Sequence, residues 1–180
     1  MPKSATVAGV LLAAGAGTRY GMPKVLAEDG HWLCACVRAL ADGGCEDVVV
    51  VLGAAVVDVP APARAVVADD WADGLSASVR AGIAAIDACY LVLHPVDTPD
   101  VGADVVRRVL SAARSSPSGL ARARYGDRPG HPVVIARTHW PDLLDGLRGD
   151  EGARAFLVDR TDVVAVDCAD LASGEDIDVS

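Results

Sequence analysis

The chain has 180 residues, about the size of one domain, and is long enough to bury a core without disulfide or metal staples. Charged residues make up 23% and aromatics 4%, which suits a tightly packed α/β protein and speaks against disorder or a fibrous repeat. The net charge of -9 argues against a nucleic-acid duplex or an anionic membrane as main partner, since both need an extended basic face, whereas a nucleotide needs only a few amides, one or two cations and a metal ion.

In chain order, Val7 to Ala13 predicts a first strand, Leu33 to Leu40 a helix and Asp47 to Leu52 a second strand. A strand at Ala65 to Val67, a helix at Ser76 to Ile86 and a strand at Tyr90 to His94 follow. The helix predicted over Ala103 to Ala113 puts Val105, Val106, Val109 and Leu110 on one face. Strands at Gly119 to Ala123 and Pro132 to Ala136, helices at Thr138 to Leu147 and Gly152 to Val158, and a strand at Val163 to Val166 complete the pattern. Val56 to Arg64 and Ser115 to Ser118 read as loops, neither long enough to link domains.

This alternation implies parallel strands joined by helices. The expected fold is one α/β domain over residues 1–180, a Rossmann-like three-layer sandwich whose mostly parallel central sheet carries helices on both faces. Such sheets bind ligands at the carboxyl ends of their strands near the point where strand order reverses, so the chemistry is expected just after Ala13 and after His94.

The five cysteines (Cys34, Cys36, Cys45, Cys89, Cys168) are odd in number and contain no C-x-x-C, so buried free thiols in a reducing cytoplasm are expected. The four histidines (His31, His94, His131, His139) lack the close pairing of a metal motif. Lys3 and the apolar run Ala5 to Ala14 resemble a short secretory signal, but a strand entering a loop explains the same residues together with the Arg and Lys that follow. No uncharged stretch approaches the ~18 apolar residues of a membrane span. A monomer or weak dimer is expected.

In the loop after the first predicted strand, glycines at 15, 17 and 21 let the backbone turn sharply and present N–H groups to phosphate oxygens, while Arg19 and Lys24 add charge. The spacing G-x-G-x-x-x-G is one residue too long for the dinucleotide fingerprint, and no acidic residue closes the second strand. Pro23 before Lys24, with no Ser or Thr after it, excludes a Walker loop. From the glycines alone, a tight turn with solvated charges reads equally well.

Tyr90 to His94 is followed by Pro95-Val96-Asp97-Thr98-Pro99, which puts a carboxylate at a strand's carboxyl end, where it suits a hard cation such as Mg²⁺ or simply caps the following helix. In Trp71-Ala-Asp-Gly-Leu-Ser-Ala-Ser78, Ser76 is placed to cap free amides at a helix start. Arg128-Pro129-Gly130-His131-Pro132 reads as a rigid turn opening a strand, and Arg154 closes Leu147 to Arg154 further on. Each of these arginines also reads as a surface ion-pair partner.

The complete string Leu12-Ala-Ala-Gly-x-Gly-x-Arg-x-Gly-x-Pro-Lys24 resembles the signature loop of the MobA-like NTP transferases, including enzymes that add a nucleotide to the molybdenum cofactor. The resemblance implies a nucleotide-diphospho-sugar transferase-like fold and a Mg²⁺-dependent nucleotidyltransferase. An acceptor phosphate would attack the α-phosphorus of a nucleoside triphosphate and release pyrophosphate. It further implies that Arg19 and Lys24 neutralise the triphosphate and are, with Asp97, the catalytic residues, and that Leu12, Ala13, Ala14, Gly15 and Gly17 line the nucleotide.

Gly74, Leu75, Ser76 and Ser78 resemble a segment facing the bound nucleotide, and Arg128, His131 and Arg154 fall in segments that flank the phosphorylated acceptor in relatives. By the same resemblance Asp97 is the metal ligand, although Val96 stands where relatives commonly have Gly. Gly174-Glu-Asp-Ile-Asp178 looks like the acidic D-x-D element, which makes Asp176 and Asp178 further metal candidates. Ala13-Ala14-Gly15 resembles the cytidylyl-transferring branch, so CTP is favoured over GTP and a molybdopterin-type acceptor is expected. Alternatives are a sugar-phosphate nucleotidylyltransferase or a nucleotide-binding protein without turnover. Divergence of the latter kind is suggested by Glu28-Asp29-Gly30-His31-Trp32, where relatives usually have a short Gly-x-Pro-Leu turn.

Overall fold

Val7–Ala13 and Asp47–Leu52 are nearly unbroken apolar runs, and a strand is apolar along its whole length where both faces of its sheet are covered. The computed structural model, which describes residues 5–179, shows why. Seven strands, β1 (Val7–Ala13), β2 (Asp47–Leu52), β3 (Arg64–Val67), β4 (Tyr90–Pro95), β5 (Leu120–Tyr125), β6 (Arg128–Ala136) and β7 (Val164–Asp167), form one sheet in the order β3-β2-β1-β4-β6-β5-β7. Central β1 pairs in parallel with β2 and β4, and every residue of it is buried. Edge strands β3 and β7 are largely exposed.

The period of two divides the core. Val7, Leu11, Ala13, Val48, Val50 and Val92 pack against α1 (His31–Asp42) and α3 (Ala103–Ser115) on one face. Val10, Leu12, Val49, Val51, Leu91 and Leu93 pack on the other against α2 (Leu75–Ala84), α4 (Trp140–Gly146) and α5 (Arg154–Leu157). The expected α/β sandwich, with a mostly parallel sheet and helices on both faces, is thus the observed one. No helix among the described residues is long and apolar enough to cross a membrane.

The structure corrects the sequence reading around β6, which runs antiparallel to both β4 and β5. Its direction follows from chain length. Tyr125 pairs with Arg128, so only Gly126-Asp127 connects β5 to β6, whereas parallel neighbours need a crossover of about a dozen residues. The predicted turn Arg128 to Pro132 is accordingly already strand. Further on, the helix expected over Gly152 to Val158 shrinks to α5, and Lys24–Gly30 forms an unforeseen 3-10 segment. Near its end Glu28 and Asp29 sit at φ 50° and 54°, a left-handed pair costing on the order of 1–2 kcal/mol per residue.

Strand order reverses between β1 and β4, whose neighbours extend in opposite directions, and the loops leaving their carboxyl ends face the crevice between them.

Candidate functional site

The loop leaving β1 closes on itself. Gly21 N–H donates to the Gly17 carbonyl at 2.8 Å, and Gly17 sits at φ 63° with its α-carbon so near Met22 that a β-carbon would lie 1.8 Å from the Met22 carbonyl oxygen. Only glycine fits there. Arg19 remains exposed on the loop, while Tyr20 packs on Trp32 of α1 with ring centroids 5.2 Å apart. Lys24 points inward from the start of the 3-10 segment.

The loop leaving β4 is tied to the same strand end, because Val96 N–H donates to the Leu12 carbonyl at 3.1 Å. Thr98 Oγ1 lies 3.0 Å from His94 Nε2 and donates to the Pro95 carbonyl at 3.3 Å, fixing the turn that carries Asp97. Asp97 Oδ2 accepts from Lys24 Nζ at 2.9 Å, whereas its Oδ1 is buried without a partner. The helix-capping alternative for Asp97 is not realised. Helix α3 begins only at Ala103, and Asp104 takes the Val105 N–H.

The C-terminal segment completes the cluster across 154 residues of sequence, with Asp178 Oδ1 accepting from Lys24 Nζ at 3.0 Å. Ile177 N–H donates to the Asp97 carbonyl at 3.0 Å and holds this segment against the β4 loop. Burial cuts against the Lys24 ammonium, but hydrogen bonds and charge from Asp97 and Asp178 outweigh it and leave its pKa above the usual value. Asp176 is exposed beside them, and partial desolvation, then the charges of Asp97 and Asp178, raise its carboxyl above the ordinary range.

Among the described residues no three His, Cys, Asp or Glu side chains are grouped closely enough to hold a metal ion by themselves. The donor set nevertheless fits Mg²⁺, which takes one or two carboxylates and fills its shell with water and substrate phosphates. Asp97 and Asp178 reach one common ammonium, and Asp97 keeps an orphaned buried oxygen.

These groups line a cleft of about 580 Å³ whose walls include Leu12 to Tyr20, Lys24, Gly74, Leu75, Ser78, Asp97, His131, Asp176 and Asp178. Trp71, Ala72 and Asp150 also line it; they fall inside the segments Trp71 to Ser78 and Leu147 to Arg154 but were not themselves named as candidates. Ser76, Arg128 and Arg154 are not among the lining residues.

The structure corrects the role expected of Ser76 at the helix start. Gly74 is the N-cap of α2, Asp150 Oδ1 accepts the Leu75 N–H at 3.2 Å, and the Gly149 carbonyl takes the Ser76 N–H at 2.9 Å. Arg128 donates to the Ser173 and Gly174 carbonyls, and Arg154 lies exposed on α5.

Of two histidines near the cleft, only His131 lines it. His94 is fully buried, and burial, reinforced by His131, pushes its pKa down to about 3. His131 is pushed down to about 4 by burial and by Arg122. All five cysteines are free, as expected, but Cys34 and Cys89 are exposed rather than buried. The Cys36 thiol donates to the Val96 carbonyl at 3.7 Å, and burial, then Asp97 and Asp100, raise it to about 12, which makes it inert packing behind the Asp97 turn.

Nicotine blue oxidoreductase of Paenarthrobacter nicotinovorans is 38% identical to this chain over 189 residues, covering 96% of the chain and 92% of that protein. The crystal structure of Rv0371c from Mycobacterium tuberculosis H37Rv is similar with a TM-score of 0.77 and 27% identity, over 98% of this chain and 95% of that one. A structure of Rv0371C in complex with manganese matches with a TM-score of 0.67 and 26% identity, over 90% of this chain and 89% of that one, so a related fold is known to hold a divalent cation. A model of the MobA-like NTP transferase domain matches residues 9–164, spanning both the glycine loop and the Asp97 turn, and the chain belongs to that family.

Proposed function

We propose that the cleft transfers a nucleoside monophosphate from a nucleoside triphosphate to a phosphorylated small-molecule acceptor. CTP is the favoured donor, GTP the second, and the acceptor is of the molybdopterin type. The observation that carries this reading is the meeting of Lys24 with Asp97 and Asp178 at 2.9 and 3.0 Å, under a glycine loop at the switch point of the sheet. It also fits the charge balance, since a net -9 chain keeps its few cleft cations for one polyanion.

In the proposed reaction an acceptor phosphate oxygen forms a bond to the α-phosphorus, the bond to the bridging oxygen breaks, and pyrophosphate carries away the electron pair. Amides of Ala14 to Gly17 and the charge of Arg19 hold the β- and γ-phosphates, while Lys24 stabilises charge on the oxygens nearest Asp97. Mg²⁺ on Asp97 and Asp178, when bound, supplies further positive charge to the phosphates. Gly74, Leu75 and Ser78 contact the base or ribose, and His131, neutral at physiological pH, offers the acceptor a hydrogen bond rather than a charge.

The test is a panel of the four nucleoside triphosphates with Mg²⁺, read by thermal shift and by pyrophosphate release with molybdopterin-type and sugar-phosphate acceptors. CTP giving the largest stabilisation, with release on the molybdopterin-type acceptor, is the expected result. Absence of stabilisation by any triphosphate refutes the reading. A second reading rests on the 38% identity to a protein named nicotine blue oxidoreductase: the cleft carries out a redox reaction in place of nucleotidyl transfer. Oxidation of NADH or NADPH without pyrophosphate release selects it.

A further inference from the structure

Arg128 occurs in a segment that suggests acceptor binding, yet its guanidinium is committed elsewhere. Nη2 donates to the Ser173 carbonyl at 2.6 Å and Nη1 to the Gly174 carbonyl at 3.4 Å. A single oxygen of Asp100, Oδ2, accepts the Ser173 N–H at 2.8 Å, the Ser173 hydroxyl at 2.7 Å and the Gly174 N–H at 3.3 Å.

The ring of Tyr125 covers this point. Gly174 sits at φ 63°, and a β-carbon there would lie 2.1 Å from the ring. Arg128 lies over the same ring, 5.8 Å from its centroid, and the Tyr125 hydroxyl donates to the His131 carbonyl at 2.6 Å.

Two residues separate this grip from the next anchor, Ile177 N–H on the Asp97 carbonyl, and one residue later Asp178 reaches Lys24. After β7 the described chain forms no further strand or helix, so side-chain clamps replace ladder hydrogen bonds in holding it. Asp100 belongs to the same loop as Asp97, and Arg128 and Tyr125 belong to the hairpin that carries His131. One set of contacts therefore ties the second carboxylate, the β4 loop and the His131 wall of the cleft into a single unit.

We infer that Asp100, Arg128 and the Tyr125–Gly174 stack are positioning residues that deliver the Asp178 carboxylate to the cation site opposite Asp97, and that Arg128 does not bind the acceptor. This rests on the proposed reading of Asp97 and Asp178 as cation ligands. None of the three side chains touches substrate; they act through Asp178, as outer partners that orient a ligand do.

The experiment titrates the full chain with Mn²⁺ by electron paramagnetic resonance, with and without CTP. The variants are Asp100→Ala, Asp100→Asn, Arg128→Met and Asp178→Asn, together with the double variant Asp100→Ala/Asp178→Asn. Asp100→Ala and Arg128→Met should each weaken Mn²⁺ binding by about 10-fold or more, the scale typical of lost outer partners, and Asp100→Asn should recover most of it. In the Asp178→Asn background, Asp100→Ala should add less than about 2-fold, because its effect is already spent.

Losses that add fully, or no loss in Asp100→Ala and Arg128→Met where Asp178→Asn shows one, overturn the clamp and leave the cation site standing. Unchanged Mn²⁺ binding in Asp178→Asn alone overturns the cation-site reading instead, and the clamp's role with it. Arg128→Met keeps the test decisive should Asp100→Ala misfold, because the two clamp the segment from different elements.

Discussion

Lys24 stands where a divalent cation and a triphosphate would both act, so replacing it by methionine should push the two affinities in opposite directions. Its ammonium and the Asp97 carboxylate are 17% and 19% exposed, the Asp178 carboxylate 54%. Opposite charges about 3 Å apart attract by about 5 kcal/mol at an effective dielectric constant near 20. Desolvation of the ammonium and the solvent around Asp178 reduce the net worth to roughly 1–3 kcal/mol.

A cation entering between Asp97 and Asp178 must displace that ammonium. In Lys24→Met the nucleotide-free protein should therefore bind Mn²⁺ roughly 5- to 150-fold more tightly, the equivalent of 1–3 kcal/mol. Without metal the variant should unfold several degrees lower, since two carboxylates lose their counter-ion, and millimolar Mn²⁺ should restore the midpoint. CTP binding should weaken, because a charge-assisted contact to phosphate is gone. Mn²⁺ titration and calorimetry with CTP read both effects. Mn²⁺ affinity that is unchanged or weaker without nucleotide refutes the argument that Lys24 occupies the cation position.

Asp97→Asn should lower turnover by about 10²-fold or more while the thermal midpoint moves by no more than ~4 °C, since Lys24 keeps Asp178; an active variant removes Asp97 from the chemistry. Gly17→Ala places a β-carbon 1.8 Å from the Met22 carbonyl, so CTP affinity by calorimetry should collapse while the far-ultraviolet spectrum stays native, and normal CTP binding would show that the loop tolerates reshaping. His94 and His131 are held near 3 and 4 against a usual 6.5, so the unfolded chain binds more protons between those limits and stability, full above pH 6.5, is lost as pH falls through the window. Urea unfolding should show a slope of up to about 2.7 kcal/mol per pH unit between pH 5.5 and 4.5, about half of it removed in His94→Asn; a flat profile contradicts the neutral buried rings.

Much of the fold was legible in the residue pattern. Strands β1, β2 and β4 are apolar along most of their length because both their faces are covered, and that signal survives without knowledge of neighbours. The glycine loop and Asp97 were legible for a similar reason, since tight turns at strand ends demand particular residues locally. The direction of β6 was not, because side-chain alternation is the same in either direction and only the two-residue link Gly126-Asp127 decides it.

What the sequence by itself determined is therefore local: which segments are strands, where a glycine loop leaves the first of them, and which strand end carries a carboxylate. The tertiary structure alone decided which of these meet. Lys24 joins Asp97 across 73 residues and Asp178 across 154, Asp150 caps α2 across 75, and Arg128 turns from the expected acceptor toward the Ser173–Gly174 backbone. Contacts at such separations depend on sheet order and strand register, which no short window of sequence encodes.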